Sequence, residues 1–309
     1  PRWEFRYLRN LLERDKRWEA NIVLCDWAAG RPILGPRGNG AGHFPTRHEM
    51  LFQYQLIIIG DVPPSVFTVG EMQWIRDYVQ FNGGGLIFID GRMERLVNFA
   101  GSPLSDLFPV RFWGDRALSS MSMRVRFRSA GGAQAPLMLA ANTADNLTIW
   151  NDLPGPRWAA VTEALPGAET LLEIVKGNSV VPGLVFRRWG AGRVLYSAFD
   201  ETWRWRFNIG DRHHQRYWNQ VAKWIMEPPF AVQGPYIAMD SGPTTYDVGD
   251  TPDIRVRIMK PELARKFQLQ PKLKPEAILW RDGRVFGTFP LEADPKSFTY
   301  RARSAPLPA

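Results

Sequence analysis

Four short, largely apolar runs, each closing on acid, constrain the fold of this chain more than any other feature. Residues 20–24 lead to Cys25-Asp26, residues 56–59 to Gly60-Asp61, residues 86–89 to Asp90-Gly91, and residues 193–199 to Asp200-Glu201. Such runs, with little polar alternation, fit strands buried on both faces, as in a parallel sheet. Thr68 and Glu71 form a capping box. The helix it opens carries Trp74, Ile75, Tyr78 and Val79 inward. Glycines 83–85 then turn the chain into the next strand. Strand, helix, strand at this spacing predicts βαβ units and a mainly parallel sheet. Ligands and catalytic groups of open α/β sheets collect just beyond the carboxyl ends of the strands, so the acids mark the place to look.

The remaining elements are read from periodicity and punctuation. Residues 3–14 predict a helix with Phe5, Leu8, Leu11 and Leu12 on one face, and residues 20–24 a short strand ending at Cys25-Asp26. Residues 110–186 change to short alternating strands, such as 121–127 and 171–175, a β-rich extension of the same domain. The last helix, residues 211–226, buries Tyr217, Trp218, Val221, Trp224 and Ile225, and Pro228-Pro229 stops it. Beyond it, short strands separated by turns read as a β-sandwich with too few strands to be complete. The expected organisation is an α/β domain over residues 1–228 and a partial, Ig-like β-sandwich over residues 229–309.

Composition narrows the function classes. The chain has 309 residues, 45% of them hydrophobic, enough for a sizeable core. The net charge of +8 permits an acidic partner. The arginines, however, are spread along the chain and interleaved with acids and tryptophans, a pattern that disfavours nucleic acid. A single cysteine, Cys25, excludes an intrachain disulfide and a cysteine-based metal cluster. Its neighbour Asp26 disfavours a thiolate, and no Gly-x-Cys-x-Gly elbow surrounds it. No uncharged apolar run approaches the roughly 20 residues needed to span a bilayer. The abrupt start at Pro-Arg-Trp-Glu and the proline-rich end suggest a piece of a longer protein, with a membrane tether outside it.

The acids Asp26, Asp61, Asp90, Asp200 and Glu201 would line one sheet edge if their strands are parallel neighbours. They then have two readings. Clustered carboxylates bind divalent cations, or divide into an acid and a base through shifted pKa values. Acids after strands also cap turns and pair with nearby cations; Arg204, Arg206 and Arg212 are close in sequence. The run Trp203-Arg204-Trp205-Arg206 is equally double. Extended, it would set both indoles on one side and both guanidiniums on the other, a platform for a sugar or base. The same pattern serves internal cation–π packing. His213 and His214 diverge on a helix, and no zinc spacing such as His-Glu-x-x-His occurs. No metal site and no cofactor is expected.

Several of these segments together resemble the class I glutamine-amidotransferase-like domain of large, often membrane-anchored bacterial envelope proteins of the planctomycete type. The resemblance is carried by PRWEFRYLRNLLERD, LIIIGDVPPS, FNGGGLIFIDG, GSPLSDLFPV and GAGRVLYSAFDETWRWRFNIGDRHHQRYW, over residues 1–227. The DETWRWR run followed by GDR-H is its most specific part. It implies a flavodoxin-like fold with helices on both faces. It further implies that a first strand precedes Pro1 and that Arg2, Trp3 and Glu4 lie at the same edge as Asp200 and Glu201. Amidotransferases of this class use a cysteine on a strand-to-helix elbow and a His-x-Glu near the last strand. The corresponding positions here hold Ile89-Asp90-Gly91 and Phe199-Asp200-Glu201, without cysteine or histidine, so glutamine hydrolysis is not expected.

The expectation is therefore a non-catalytic module of the cell envelope, periplasmic by preference, binding a protein partner or an envelope glycan. Its binding set is Arg2, Trp3, Glu4, Asp61, Asp90, Asp200, Glu201, Trp203, Arg204, Arg206, Asp211 and His213. The alternative is a hydrolase using Asp90, Asp200 or Glu201, with or without a divalent metal.

Overall fold

The computed structural model describes residues 2–28, 31–128, 135–207, 210–226, 232–234, 236–241, 246–258, 275–281, 283–293 and 299–307. The chain divides into two units: Pro1–Gln80 with Gly84–Glu227, and Phe81–Gly83 with Pro228–Ala309. The first unit opens with α1 (Trp3–Arg14), β1 (Cys25–Ala28), β2 (Arg31–Leu34) and α2 (His48–Leu51). It continues through β3 (Leu56–Ile59), α3 (Val69–Gln80), β4 (Gly85–Ile89), β5 (Val110–Ser119) and β6 (Arg124–Phe127). It closes with α4 (Thr143–Asp152), β7 (Trp158–Ala164), β8 (Glu169–Lys176), β9 (Ser179–Trp189), β10 (Gly192–Ser197) and α5 (Arg212–Ile225).

Six of these strands form one mixed sheet in the order β3-β4-β10-β9-β8-β6. The strands β3, β4 and β10 are parallel. Part of the β-rich extension continues the same sheet, with antiparallel pairings from β10 through β9 and β8 to β6, while β5 and β7 pair antiparallel with each other as a separate two-stranded sheet. Strand alternation sorts the core into two layers. Leu86 and Phe88 of β4 and Val194 and Tyr196 of β10 pack with Ile75, Tyr78 and Val79 of α3. The intervening Ile87, Ile89 and Leu195 face the other way, against Leu8 and Leu11 of α1 and Tyr217, Trp218, Val221 and Ile225 of α5. The capping box forms as read: Glu71 accepts the Thr68 N–H at 2.7 Å while the Thr68 hydroxyl accepts the Glu71 N–H at 3.2 Å.

Three elements depart from the sequence reading. Residues 20–24 form no strand; β1 begins at Cys25 and pairs antiparallel with β2, outside the main sheet. Asp26 therefore does not close a strand of the parallel set, and its side chain lies outside the described residues. Second, the Trp-Arg-Trp-Arg run is a 3₁₀ turn, Thr202–Arg206. Three residues per turn send Trp203 and Trp205 to different sides, so the two-faced platform does not form. Third, the supposedly all-strand stretch contains α4, capped by Asn142, whose side chain accepts the Asp145 N–H at 2.8 Å.

The second unit holds a five-stranded antiparallel sheet and a two-stranded hairpin. The sheet comprises β11 (Val232–Gln233), β12 (Ile237–Asp240), β13 (Asp253–Ile258), β16 (Glu292–Ala293) and β17 (Thr299–Arg303), and the hairpin pairs β14 (Glu276–Arg281) with β15 (Arg284–Pro290). No helix among the described residues is long and apolar enough to cross a membrane.

Candidate binding site at the carboxyl edge

Because β3, β4 and β10 are parallel and adjacent, their carboxyl ends bring Asp61, Asp90, Asp200 and Glu201 to one edge. All four acids are buried, and each is engaged. Asp61 accepts the backbone N–H of Met93 at 2.9 Å and of Arg95 at 2.8 Å, which fixes the loop after β4. Asp90 accepts the Tyr196 hydroxyl at 2.7 Å and the Gly91 N–H at 2.9 Å. Asp200 pairs with the Arg2 guanidinium at 3.0 Å. Glu201 accepts from Arg92 at 2.8 Å and from the Arg157 N–H, with Arg204 3.7 Å away.

Arg2 reaches this edge because two glycines leave room for it. A Cβ on Gly60 or on Gly91 would collide with its guanidinium, and one on Gly91 would also lie 2.7 Å from Asp61 Oδ2 and 3.0 Å from Asp200 Oδ2. One cation is thus wedged among three carboxylates. Burial is the first cause that raises the pKa of Asp90, to about 7, against the lowering hydrogen bonds from Tyr196 and Gly91. Burial likewise raises Asp200 to about 6, opposed by Arg2 and assisted by Glu4 and Glu201. The Tyr196 phenol is pushed up by burial and by Asp90.

Glu4 sits beneath this layer, 1% exposed. Its Oε1 accepts from the Thr202 hydroxyl at 2.6 Å and from Trp218 Nε1 at 3.0 Å, with His214 Nε2 at 3.2 Å; its Oε2 accepts the Trp203 N–H at 3.1 Å. This carboxylate ties α1, the 3₁₀ turn and α5 together. His214, not the singled-out His213, joins the network. His213 carries a buried Nδ1 with no hydrogen-bond partner, and burial lowers its pKa, with Arg212 and Arg216 adding to the effect. Helical spacing carried the signal for His214, which lies three and four residues before Tyr217 and Trp218 on the buried face. Glu4, one turn before Leu8 on the apolar face of α1, was marked in the same way. Tyr196, Thr202 and the Arg157 N–H left no mark in the sequence.

The outer layer is aromatic and cationic. Trp3, Tyr7, Trp203 and Phe207 are in serial ring contact, with centroids 5.9–6.1 Å apart. Trp3 is 53% and Phe207 62% exposed. Arg6 stands 5.5 Å from the Trp3 ring and Arg206 4.0 Å from Tyr7. Asp211 pairs with Arg206 and, at 3.1 Å, with Arg14. Arg204 turns inward to the Gly155 carbonyl at 2.6 Å. Among the described residues, no group of three or more His, Cys, Asp or Glu side chains is arranged to hold a metal ion.

No family model and no curated protein matches the chain. Among solved structures it is similar to a cytoplasmic protein from Salmonella typhimurium, at 18% identity and a TM-score of 0.47, over 66% of this chain and 94% of that one. A second cytoplasmic protein, from Salmonella typhimurium LT2, is 21% identical with a TM-score of 0.44, over 59% and 76%. A β-galactosidase from Rahnella sp. R3 is 14% identical with a TM-score of 0.35, over 82% of this chain and 33% of the enzyme. At these TM-scores the likenesses carry no argument about chemistry.

Proposed function

We propose that the first unit is a non-catalytic recognition module that binds a protein partner or an envelope glycan through the aromatic and cationic surface at its carboxyl edge. The observation that carries this reading is the contrast between two adjacent layers. The acids are buried and occupied by internal partners, while Trp3 and Phe207 are exposed and, with the half-buried rings of Tyr7 and Trp203, form one aromatic cluster beside two guanidiniums. Exposed aromatic clusters of this kind are characteristic of recognition surfaces. In this reading the α/β unit is a flavodoxin-like, amidotransferase-like domain without its nucleophile, and the second unit is a partial Ig-like sandwich. Both belong to a bacterial envelope protein, on the periplasmic side, whose membrane tether lies outside this chain.

The test is co-sedimentation with purified cell-wall sacculi, and titration of purified envelope proteins, both in the presence of a chelator. Binding should survive chelation, fall at least about tenfold in Trp3→Ala/Trp203→Ala, and persist in Asp200→Asn. Binding indifferent to both tryptophans would refute the proposal. A second reading, a hydrolase using Asp90, Asp200 or Glu201, is favoured by one observation: the raised pKa values of Asp90 and Asp200, since perturbed carboxyls gather at active sites. Turnover that disappears in Asp200→Ala would favour it.

A further inference from the structure

Tyr7 belongs to two features at once. Its ring lies nearly parallel to that of Trp3, at 22°, and to that of Trp203, at 15°, with centroids 6.0 and 6.1 Å away. Near-parallel rings at this spacing are displaced sideways, not stacked face on face, so together they offer a stepped apolar surface. The same Tyr7 lines a cavity of about 150 Å³ between α1 and α5. Arg14, Arg206 and Asp211 stand in the wall of that cavity, with Asn10 and Gln215 beside them. Arg206 is the second link, since its guanidinium lies 4.0 Å from the Tyr7 ring.

The charges in this cavity do not balance. Two guanidiniums are aimed at one carboxylate: Arg206 pairs with Asp211, and Arg14 reaches it at 3.1 Å. Asp211 stands at the head of α5 but makes no capping bond, so its carboxylate is committed to the arginines. Glu4 lies behind His214 and is taken up by Thr202, Trp203, Trp218 and His214 itself. One positive charge is left uncompensated in a recess. Among the described residues each arginine spends one nitrogen on Asp211, Nε of Arg206 and Nη1 of Arg14. The remaining N–H groups of the two forks match the geometry of a second carboxylate.

We infer that this cavity takes the carboxylate of an acidic sugar within a glycan, while the adjoining rings of Trp3, Tyr7 and Trp203 hold the sugar rings. The inference deepens the recognition reading above and rests on it. Each part has its task. A pyranose presents a flat C–H face that packs on the electron-rich face of an aromatic ring. Asn10 and Gln215 carry amides that serve hydroxyls as donor and as acceptor. Arg14 and Arg206 take the charge. A stepped run of near-parallel rings suits flat sugar rings, whereas a peptide anchors by a side chain in a deep pocket or by a strand edge. Asp211 competes with the incoming carboxylate, so anions that bring no ring to the aromatic surface are held back.

The experiment titrates the whole chain calorimetrically with two probes, cellotetraose and the same tetramer with its primary alcohols oxidised to carboxylates. The acidic tetramer should bind at least about tenfold tighter at low salt, and the advantage should shrink as salt is added. Arg14→Gln/Arg206→Gln should abolish the advantage and leave cellotetraose binding in place. Asp211→Asn should tighten the acidic tetramer at least about threefold, a gain that a merely structural ion pair would not give. Arg14 is the more exposed of the two arginines, its side chain 71% accessible, so Arg14→Gln alone serves if the double variant melts early. Equal affinity for the two tetramers, or an advantage intact without the arginines, would overturn the inference. Equal binding that is lost in Trp3→Ala/Trp203→Ala would do so while leaving the recognition surface standing. Binding of neither tetramer, with sedimentation on sacculi indifferent to both tryptophans, would bring down both. Tetraglutamate bound as tightly as the acidic tetramer would overturn the assignment to a sugar.

Discussion

Trp218 of the last α/β helix donates its indole N–H to the carboxylate of Glu4, near the start of the first helix, over 3.0 Å. The two residues are 214 positions apart in sequence, and the bond joins two elements that cover the same face of the sheet. Thr202, the Trp203 N–H and His214 meet the same carboxylate. Glu4 is thus the point at which three separate segments are held in register.

Replacing Glu4 by alanine strands these donors in a buried site. The expected loss of unfolding free energy is about 3 kcal/mol or more, with Glu4→Gln less damaging because one acceptor oxygen survives. Urea denaturation measures both. A Glu4→Ala protein as stable as wild type would refute the keystone role.

The tryptophans of the Trp203-Arg204-Trp205 run should separate sharply. Trp205 is 1% exposed and packs edge-on against Trp150 and Tyr217. Trp205→Ala should cost about 3–5 kcal/mol, and Trp203→Ala about 1 kcal/mol or less. Equal losses in chemical denaturation would contradict the 3₁₀ geometry.

Asp90 makes stability depend on pH with a definite sign. Its folded pKa, about 7, lies above its usual value of 3.8. Between those limits the folded state binds more protons than the unfolded state, so this group's contribution falls as pH rises from 4 to 7 and is level above. Asp90→Asn removes the titration. The variant should gain on wild type across that window by up to about 4 kcal/mol. Parallel melting curves at pH 4, 5.5 and 7 would show that Asp90 titrates normally.

Gly91→Ala should destabilise by about 1–3 kcal/mol, since the added methyl displaces Arg2 from the acids. Gly70→Ala is the control. Gly70 lies in α3 with its nearest neighbour atom 4.0 Å from a built Cβ, and alanine suits a helix better than glycine. Thermal melting should lower the first variant and leave the second equal to wild type or higher.

The sequence was legible where local and global preferences agree. Residues 56–59 and 86–89 could be read as parallel strands because burial on both faces requires uninterrupted apolar side chains. The box at Thr68 and Glu71 announced α3 because its two hydrogen bonds are local. Legibility failed where the outcome depended on a distant neighbour. Residues 20–24 have strand composition, but a strand exists only through its partner. The alternation at residues 203–206 fits an extended run as well as a turn, and what settles it is the pocket lined by Trp150 and Tyr217. At the edge, the acids were visible, and Arg2 was expected beside them only through the resemblance; spacing alone gave no sign that Arg2 reaches Asp200 across 198 positions or that Tyr196 reaches Asp90 across 106.

Asp61 grips the loop after β4 by backbone N–H groups, at Met93 and Arg95, and every residue except proline offers that group. The course of the loop at Met93 therefore does not depend on which side chain is written there. Met93 itself stands exposed to solvent. Mutation at that position alters what the surface displays without altering where it is displayed. Evolution, or a designer, can change the lettering there while the frame stays in place.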